Sequence, residues 1–184
     1  MIYVFPVSKA DAHLIDPLCD VIGHLGGMKG RQTIVVSDPQ AAKDAGHLND
    51  RLTKLDAKSQ LHTFPQNFQQ GWPVACNYYF IYTVGYLTNS LKITSPFYYF
   101  ELDNTPVKAG WLERIGSEWG TAVSQNKSFL GVVRDYYAKD TQGNLSVHGS
   151  IMNGSGVYPP NFGRVSPLLR SLAKTTLPWD VYMR

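Results

Sequence analysis

Up to Asp103, four β-rich runs (IYVFPV, QTIVVSD, SQLHTF and FYYFELD) are each followed by a segment with helical signals, and this alternation constrains the fold more than any other feature. Ser8, with Asp11 three residues on, has the pattern of a capping box after the first run. Leu14, Ile15, Leu18, Val21, Ile22 and Leu25 then follow helical spacing. Pro17 predicts a kink, or a restart with Asp16 as cap, and Gly26-Gly27 predicts the stop. Asp38-Pro39 predicts a sharp helix start, because Asp caps while Pro occupies the first position, where no amide donor is missed. That helix is expected to run to about Leu55, mostly polar and peripheral, and a longer one is expected over 74–90. GWLERIGSEW predicts a helix after the Pro106 turn.

Strand followed by helix, four times over, predicts an α/β layer architecture with a mainly parallel sheet flanked by helices. In such sheets ligands lie at the carboxyl ends of the strands. The second half departs from the alternation. FLGVVRDYY, LSVHGSIM and SGVYP read as short β pieces with glycine turns, followed by a helix near 164–174. The expected organisation is one domain over 1–184, divided into a first half, 1–103, and a smaller β-containing half, 104–184.

Composition narrows the class further. With 184 residues, 43% hydrophobic and 12% aromatic, the chain can bury a core without disulfides or a structural metal. Cys19 and Cys76 lack paired spacing and sit in apolar contexts, which favours buried thiols over a disulfide. A net charge of +3 permits approach of an anionic ligand but falls short of a nucleic-acid signature. The N-terminus has no signal-peptide pattern, and VACNYYFIYTVGYL is too short and too interrupted for a bilayer span. No membrane segment is expected, and cytoplasm, of a bacterial or virus-infected cell, is the default compartment.

The fourth run ends in Glu101-Leu102-Asp103, where a neutral turn residue would suffice. On a strand, residues two apart face the same way, so the two carboxylates would converge while Leu102 packs oppositely. Two hard oxygen donors at a strand's carboxyl end suit Mg2+ or Mn2+, which keep positions open for water and substrate phosphates. A solvated strand end or a helix cap explains the triplet as well.

FELDNTPVKAGWL resembles the metal-binding motif of GT-A fold glycosyltransferases, in which an aromatic or apolar run leads to an acid-x-acid triplet, a short turn with Pro, and GWL. The resemblance implies a GT-A fold with a nucleotide-sugar-binding half and an acceptor-side half. It also implies that Asp103 holds a divalent ion, with Glu101 in support on ribose or a metal-bound water. Glu at the first acidic position is a mild departure from the family pattern. By the same resemblance IYVFPVSKAD is the nucleobase slot, lined by Phe5, Pro6, Val7 and Ser8, with Lys9 or Asp11 on base or phosphate. A strand end plus a helix cap explains that stretch equally. GWPVACNYYF is similar to the segment entering the donor-side helix, which brings in Trp72 and Asn77; a structural amide is the competing account of Asn77.

HGSIMNGSGVYPP resembles an acceptor-side loop, with Asn153, Gly154 and Tyr158 on the acceptor and His148 as a further metal ligand. A hairpin turn explains NGSG equally, and a structural role explains His148. Late in the chain, Asp180 beside Trp179 is the first choice for general base and acceptor contact, ahead of Asp135 and Glu113. The chain ends at Arg184, before a late metal-binding His that many relatives carry. The implied activity is metal-dependent transfer of a sugar from a nucleotide diphosphate sugar, UDP-sugar favoured, to a hydroxyl. That hydroxyl would belong to a saccharide, a small metabolite or a modified DNA base such as a hydroxymethylated pyrimidine, since compact transferases of this shape recur in viral genomes. The rival readings are a nucleotidyltransferase or nucleotide-sugar hydrolase using the same metal site, and a non-catalytic binding domain.

Overall fold

The computed structural model describes residues 1–68, 71, 74–139, 142 and 145–162, and only the backbone at 132–139 and 145–153. The first half runs β1 (Ile2–Val7), α1 (Ile15–His24), β2 (Gln32–Ser37), α2 (Ala42–Lys54), β3 (Lys58–Thr63), α3 (Val74–Gly85) and β4 (Phe97–Tyr99). The second half adds α4 (Trp111–Ser124), β5 (Leu130–Lys139) and β6 (Leu145–Tyr158). All six strands belong to one sheet of order β3-β2-β1-β4-β6-β5. The β1–β2, β2–β3 and β1–β4 pairs are parallel, whereas β6 pairs antiparallel with both β4 and β5.

Strand alternation splits β1 between two cores. Tyr3, Phe5 and Val7 face a core shared with α1, α2 and the start of α4, while Ile2 and Val4 face one shared with α3. Burial on both faces accounts for the near-continuous apolar runs of β1 and β2, as expected of parallel strands covered by helices. The α3 core is built from rings. Phe80, fully buried, meets Tyr99 edge-on at 5.2 Å, Tyr158 at 5.3 Å and Phe162 at 5.7 Å, so one side chain ties α3 to β4 and β6.

Several local signals act as the residues dictate. Asp38 accepts from the Ala41 amide at 3.1 Å with Pro39 at the first position of a short 3-10 turn leading into α2. Its other oxygen accepts from the Phe68 amide at 3.2 Å, and its own amide donates to the Tyr79 hydroxyl at 3.2 Å. Asp38 is 5% exposed; its carboxylate ties the turn into α2 and the segment before α3 to the end of β2 through charge-assisted bonds, while its amide reaches α3. We expect Asp38→Ala to lower stability by about 2–4 kcal/mol, because two amides lose a charged acceptor, with Asp38→Asn recovering part of the loss. Urea unfolding checks this; a change below about 0.5 kcal/mol would show that water replaces both bonds.

Gly26 and Gly27 end α1 with φ of 100° and 70°. A Cβ on Gly27 would lie 2.7 Å from the Leu55 carbonyl oxygen, so the close approach of α1's end to α2's end also requires glycine. α3 continues through a π-helical turn at Tyr86–Ser90, filling the expected 74–90 span. No disulfide joins Cys19 and Cys76.

Three expectations are corrected. Pro17 neither kinks nor restarts α1, because it falls in the first turn of Ile15–His24, where an amide has no helical acceptor to lose. The fourth strand stops at Tyr99, and Glu101 to Asn104 is instead a turn closed by the Asn104 amide on the Glu101 carbonyl at 3.0 Å. LSVHGSIM and SGVYP are one strand, β6, so NGSG is not a hairpin turn; β4 and β5 pair with β6 along its length. The expected helix near 164–174 lies outside the described residues.

Candidate functional site

Succession along the sheet reverses between β1 and β4. β1, β2 and β3 step one way, then the chain crosses the face carrying α3 and lays β4 on the opposite side of β1. The carboxyl ends flanking such a reversal are where open α/β sheets bind ligands. At β1 that end is the Ser8–Asp11 turn, and at β4 it is the Glu101–Asn104 turn. The two strands stay paired up to the second turn, with the Phe100 amide donating to the Val4 carbonyl at 2.7 Å.

The β5–β6 hairpin supplies a wall beside the acidic turn. β4 pairs with β6 no further than Tyr99 opposite Gly156, but β5 and β6 remain paired out to Lys139 opposite Leu145. The hairpin thus continues past the carboxyl edge, and Ser155 and Gly154 pass alongside residues 100 and 101. The Ser155 hydroxyl accepts from the Glu101 amide at 3.0 Å and from Asn104 Nδ2 at 2.8 Å. Asn104 Nδ2 also donates to Asp103 Oδ1 at 3.1 Å.

Within the turn the side chains separate by chemistry. Leu102 is 4% exposed in the core, Asp103 is exposed, and Glu101 is half-buried with its carboxylate over Gly154. The expected same-face convergence on a strand therefore does not describe the pair, since both acids belong to a turn. Burial first, and then the Glu101 charge, push the Tyr98 hydroxyl up to about 12.

At the β1 end, the Ser8 hydroxyl donates to Asp11 Oδ2 at 2.6 Å, and Lys9 reaches Asp44 on α2 at 2.8 Å. Lys9 and Asp11 thus each have a protein partner, with the Lys9 side chain still 67% exposed. Phe5 and Val7 are fully buried, with Phe5 stacked on Phe100 at 4.9 Å. Of the expected slot, main chain, half-buried Pro6, Ser8 and Asp11, and exposed Lys9 are placed to meet a ligand. Leu102 offers main chain only. Asn77 is fully buried in α3.

Tyr158 does not open to an acceptor. It is fully buried, stacks on Phe97 at 5.3 Å and donates to the Gly154 carbonyl at 3.3 Å. Glu113 belongs to the opposite edge, paired with Lys29 at 3.1 Å in the loop that enters β2; its own backbone amide and then Lys29 hold it below the usual carboxylate range. His148, Asn153 and Asp135 lie on β6 and β5, but their side chains are outside the description, and Trp72, Trp179 and Asp180 lie outside the described residues altogether. Ser155 and Asn104 were not among the expected site residues. The only sequence signals for them are an Asn directly after the acidic pair and a small hydroxyl residue between two glycines.

Among the described residues no group of three or more His, Cys, Asp or Glu comes together. The turn's two carboxylates are hard oxygen donors, and this chemistry fits a hard divalent cation that takes its other ligands from phosphate oxygens and water. Among the described residues no helix is long and apolar enough to cross a membrane.

Fold and turn together define a mixed α/β protein with an acidic turn at the carboxyl edge of a mostly parallel sheet, where the strand order reverses. No family model matches the sequence, and no curated protein matches it. Among solved structures the chain is similar to the glycosyltransferase GlyE in Streptococcus pneumoniae TIGR4, at 12% identity and a TM-score of 0.48 over 92% of this chain. It is similar to the apo-form of that protein at 10% identity and a TM-score of 0.44, again over 92% of this chain. The chain spans 36% of the length of each of those structures.

Proposed function

We propose that the chain is a metal-dependent glycosyltransferase that moves a sugar from a nucleotide diphosphate sugar, UDP-sugar favoured, to an acceptor hydroxyl. One observation carries the reading: an acidic turn, Glu101 to Asn104, at the carboxyl end of the strand beside the order reversal, flanked by the end of β1. The motif FELDNTPVKAGWL, similar to the metal-binding motif of GT-A enzymes, falls on this turn.

In this reading Asp103 and Glu101 hold Mn2+ or Mg2+ against the donor's linked phosphates. When bound, the cation supplies neutralisation of the charge that develops on the departing nucleotide diphosphate. The main chain after β1 and the Ser8 hydroxyl receive the nucleoside, and the protruding β5–β6 hairpin borders the acceptor. Asp180 is the proposed base for the acceptor hydroxyl. The acceptor hydroxyl belongs to a saccharide, a small metabolite or a modified DNA base such as a hydroxymethylated pyrimidine; the net charge of +3 permits an anionic acceptor without selecting one.

A thermal-shift panel of UDP-, GDP- and other nucleotide sugars, with and without Mn2+, tests the class. A saturating donor at about 100 times its Kd stabilises by about 2.7 kcal/mol, so a rise of roughly 5–10 °C is expected for UDP-sugar only when Mn2+ is present. A panel with no metal-dependent shift contradicts the reading. Pyrophosphate as the released product would assign nucleotidyl transfer instead.

A further inference from the structure

We propose that Gly154, Ser155 and Asn104 are positioning residues for the acidic pair: Gly154 leaves the space that the Glu101 carboxylate fills, and Ser155 holds Asn104 against Asp103. The proposal rests on the reading of Glu101 and Asp103 as the metal- and diphosphate-binding pair.

Gly154 lies inside β6, where glycine weakens a strand and so calls for a reason. Its φ is not positive, and although it lies at the register shift between β5 and β6, a second reason is visible. That reason is space. A Cβ at 154 would sit 2.6 Å from both Cδ and Oε1 of Glu101, closer than real contacts allow. The β4–β6 pairing ends at Tyr99 opposite Gly156, and just past it the Glu101 amide donates to the Ser155 hydroxyl, which brings residue 101 alongside 154. Any side chain at 154 must therefore turn the carboxylate away. Tyr158, fully buried, fixes this part of β6 by donating to the Gly154 carbonyl at 3.3 Å.

Ser155 and Asn104 complete the arrangement by donor and acceptor count. A carboxylate only accepts, so the Asn104 amide must present its NH2 to Asp103. That group has two hydrogens. One goes to Asp103 Oδ1 at 3.1 Å and the other to the Ser155 hydroxyl oxygen at 2.8 Å. The same oxygen accepts from the Glu101 amide at 3.0 Å, so a hydroxyl only 5% exposed fixes the Glu101 main chain and, through Asn104, one oxygen of Asp103. The second Asp103 oxygen stands outside this chain of bonds and is the one assigned to the cation.

The test is titration of Mn2+ into the full chain with saturating UDP, followed by electron paramagnetic resonance of free Mn2+. Outer partners of metal-binding carboxylates typically contribute 10–100-fold in affinity, so Asn104→Ala and Ser155→Ala should each weaken Mn2+ binding by about tenfold. Because they act through one chain of bonds, the double variant should be no more than about twofold weaker than either single variant. Gly154→Ala should weaken Mn2+ comparably, with a ligand-free melting temperature within about 3 °C of the parent for Asn104→Ala. If Asp103→Ala loses Mn2+ binding while all three positioning variants stay within twofold of the parent, or if the single effects simply multiply, the positioning role is overturned and the metal reading survives. If Asp103→Ala binds Mn2+ as the parent does, or the parent binds none with UDP, the metal reading itself fails and the positioning role falls with it.

Discussion

Asp103→Ala is expected to reduce Mn2+-dependent release of UDP from a UDP-sugar by about a thousandfold or more while leaving the fold intact. Donor hydrolysis without acceptor serves as the assay, so no knowledge of the acceptor is needed. A cation on a departing diphosphate is worth several kcal/mol of transition-state stabilisation, and each 1.36 kcal/mol is a factor of ten in rate, so roughly 4 kcal/mol gives the expected loss. The fold should tolerate the change because Asp103 is exposed on a turn closed by main-chain atoms, and its described bond is to the neighbouring Asn104. A melting temperature within about 2 °C of the parent, together with lost turnover, is the expected pair of results. Glu101→Ala should cost less in turnover, since its carboxylate is turned toward Gly154 while Asp103 is exposed. Equal turnover in Asp103→Ala and parent would leave the turn a structural feature.

Phe80→Ala should destabilise the chain by about 3–5 kcal/mol, the range for removing a buried Phe ring. Phe80 is fully exclosed from solvent and meets Tyr99, Tyr158 and Phe162, so the cavity would open where α3, β4 and β6 join. Aromatic neighbours cannot collapse into such a space without leaving their edge-to-face geometry. Domains of this size have only about 5–15 kcal/mol in hand, and each kcal/mol moves the melting temperature by about 2–4 °C, so a fall of roughly 10 °C is expected. Phe80→Leu should recover more than half of it. A fall below about 3 °C in Phe80→Ala would show that the site repacks, contrary to the ring geometry.

The β1 and β2 strands, the Asp38 cap and the Gly26-Gly27 stop were legible in the sequence because each depends on local chemistry: apolar runs, a capping carboxylate before Pro, and positive φ. Element ends set by distant partners were not. FYYFELD reads as one strand because its aromatics continue to Phe100, yet the main chain turns at Glu101 once the Ser155 hydroxyl, 54 residues away in sequence, takes the Glu101 amide. NGSG reads as a turn from its own residues, but it lies within β6, at the register shift between the Gly131–Gly156 and Val133–Met152 pairs with β5. The same limit shaped the site. Two carboxylates after an aromatic run are visible in one dimension, whereas the glycine that seats one of them and the hydroxyl behind the other come from β6. In the proposed nucleobase slot, alternation sends Phe5 and Val7 into the core, and nothing local to SKAD reveals that Lys9 meets Asp44 on α2.

The most direct measurement is an anomalous difference map from crystals of the full chain soaked with Mn2+ and UDP. The account predicts one strong manganese peak within coordination distance of an Asp103 carboxylate oxygen, bridged to both phosphates of UDP, at the carboxyl edge between β1 and β4. Manganese and diphosphate bound at another edge of the sheet, or UDP held at this edge with no metal on Asp103, would contradict it.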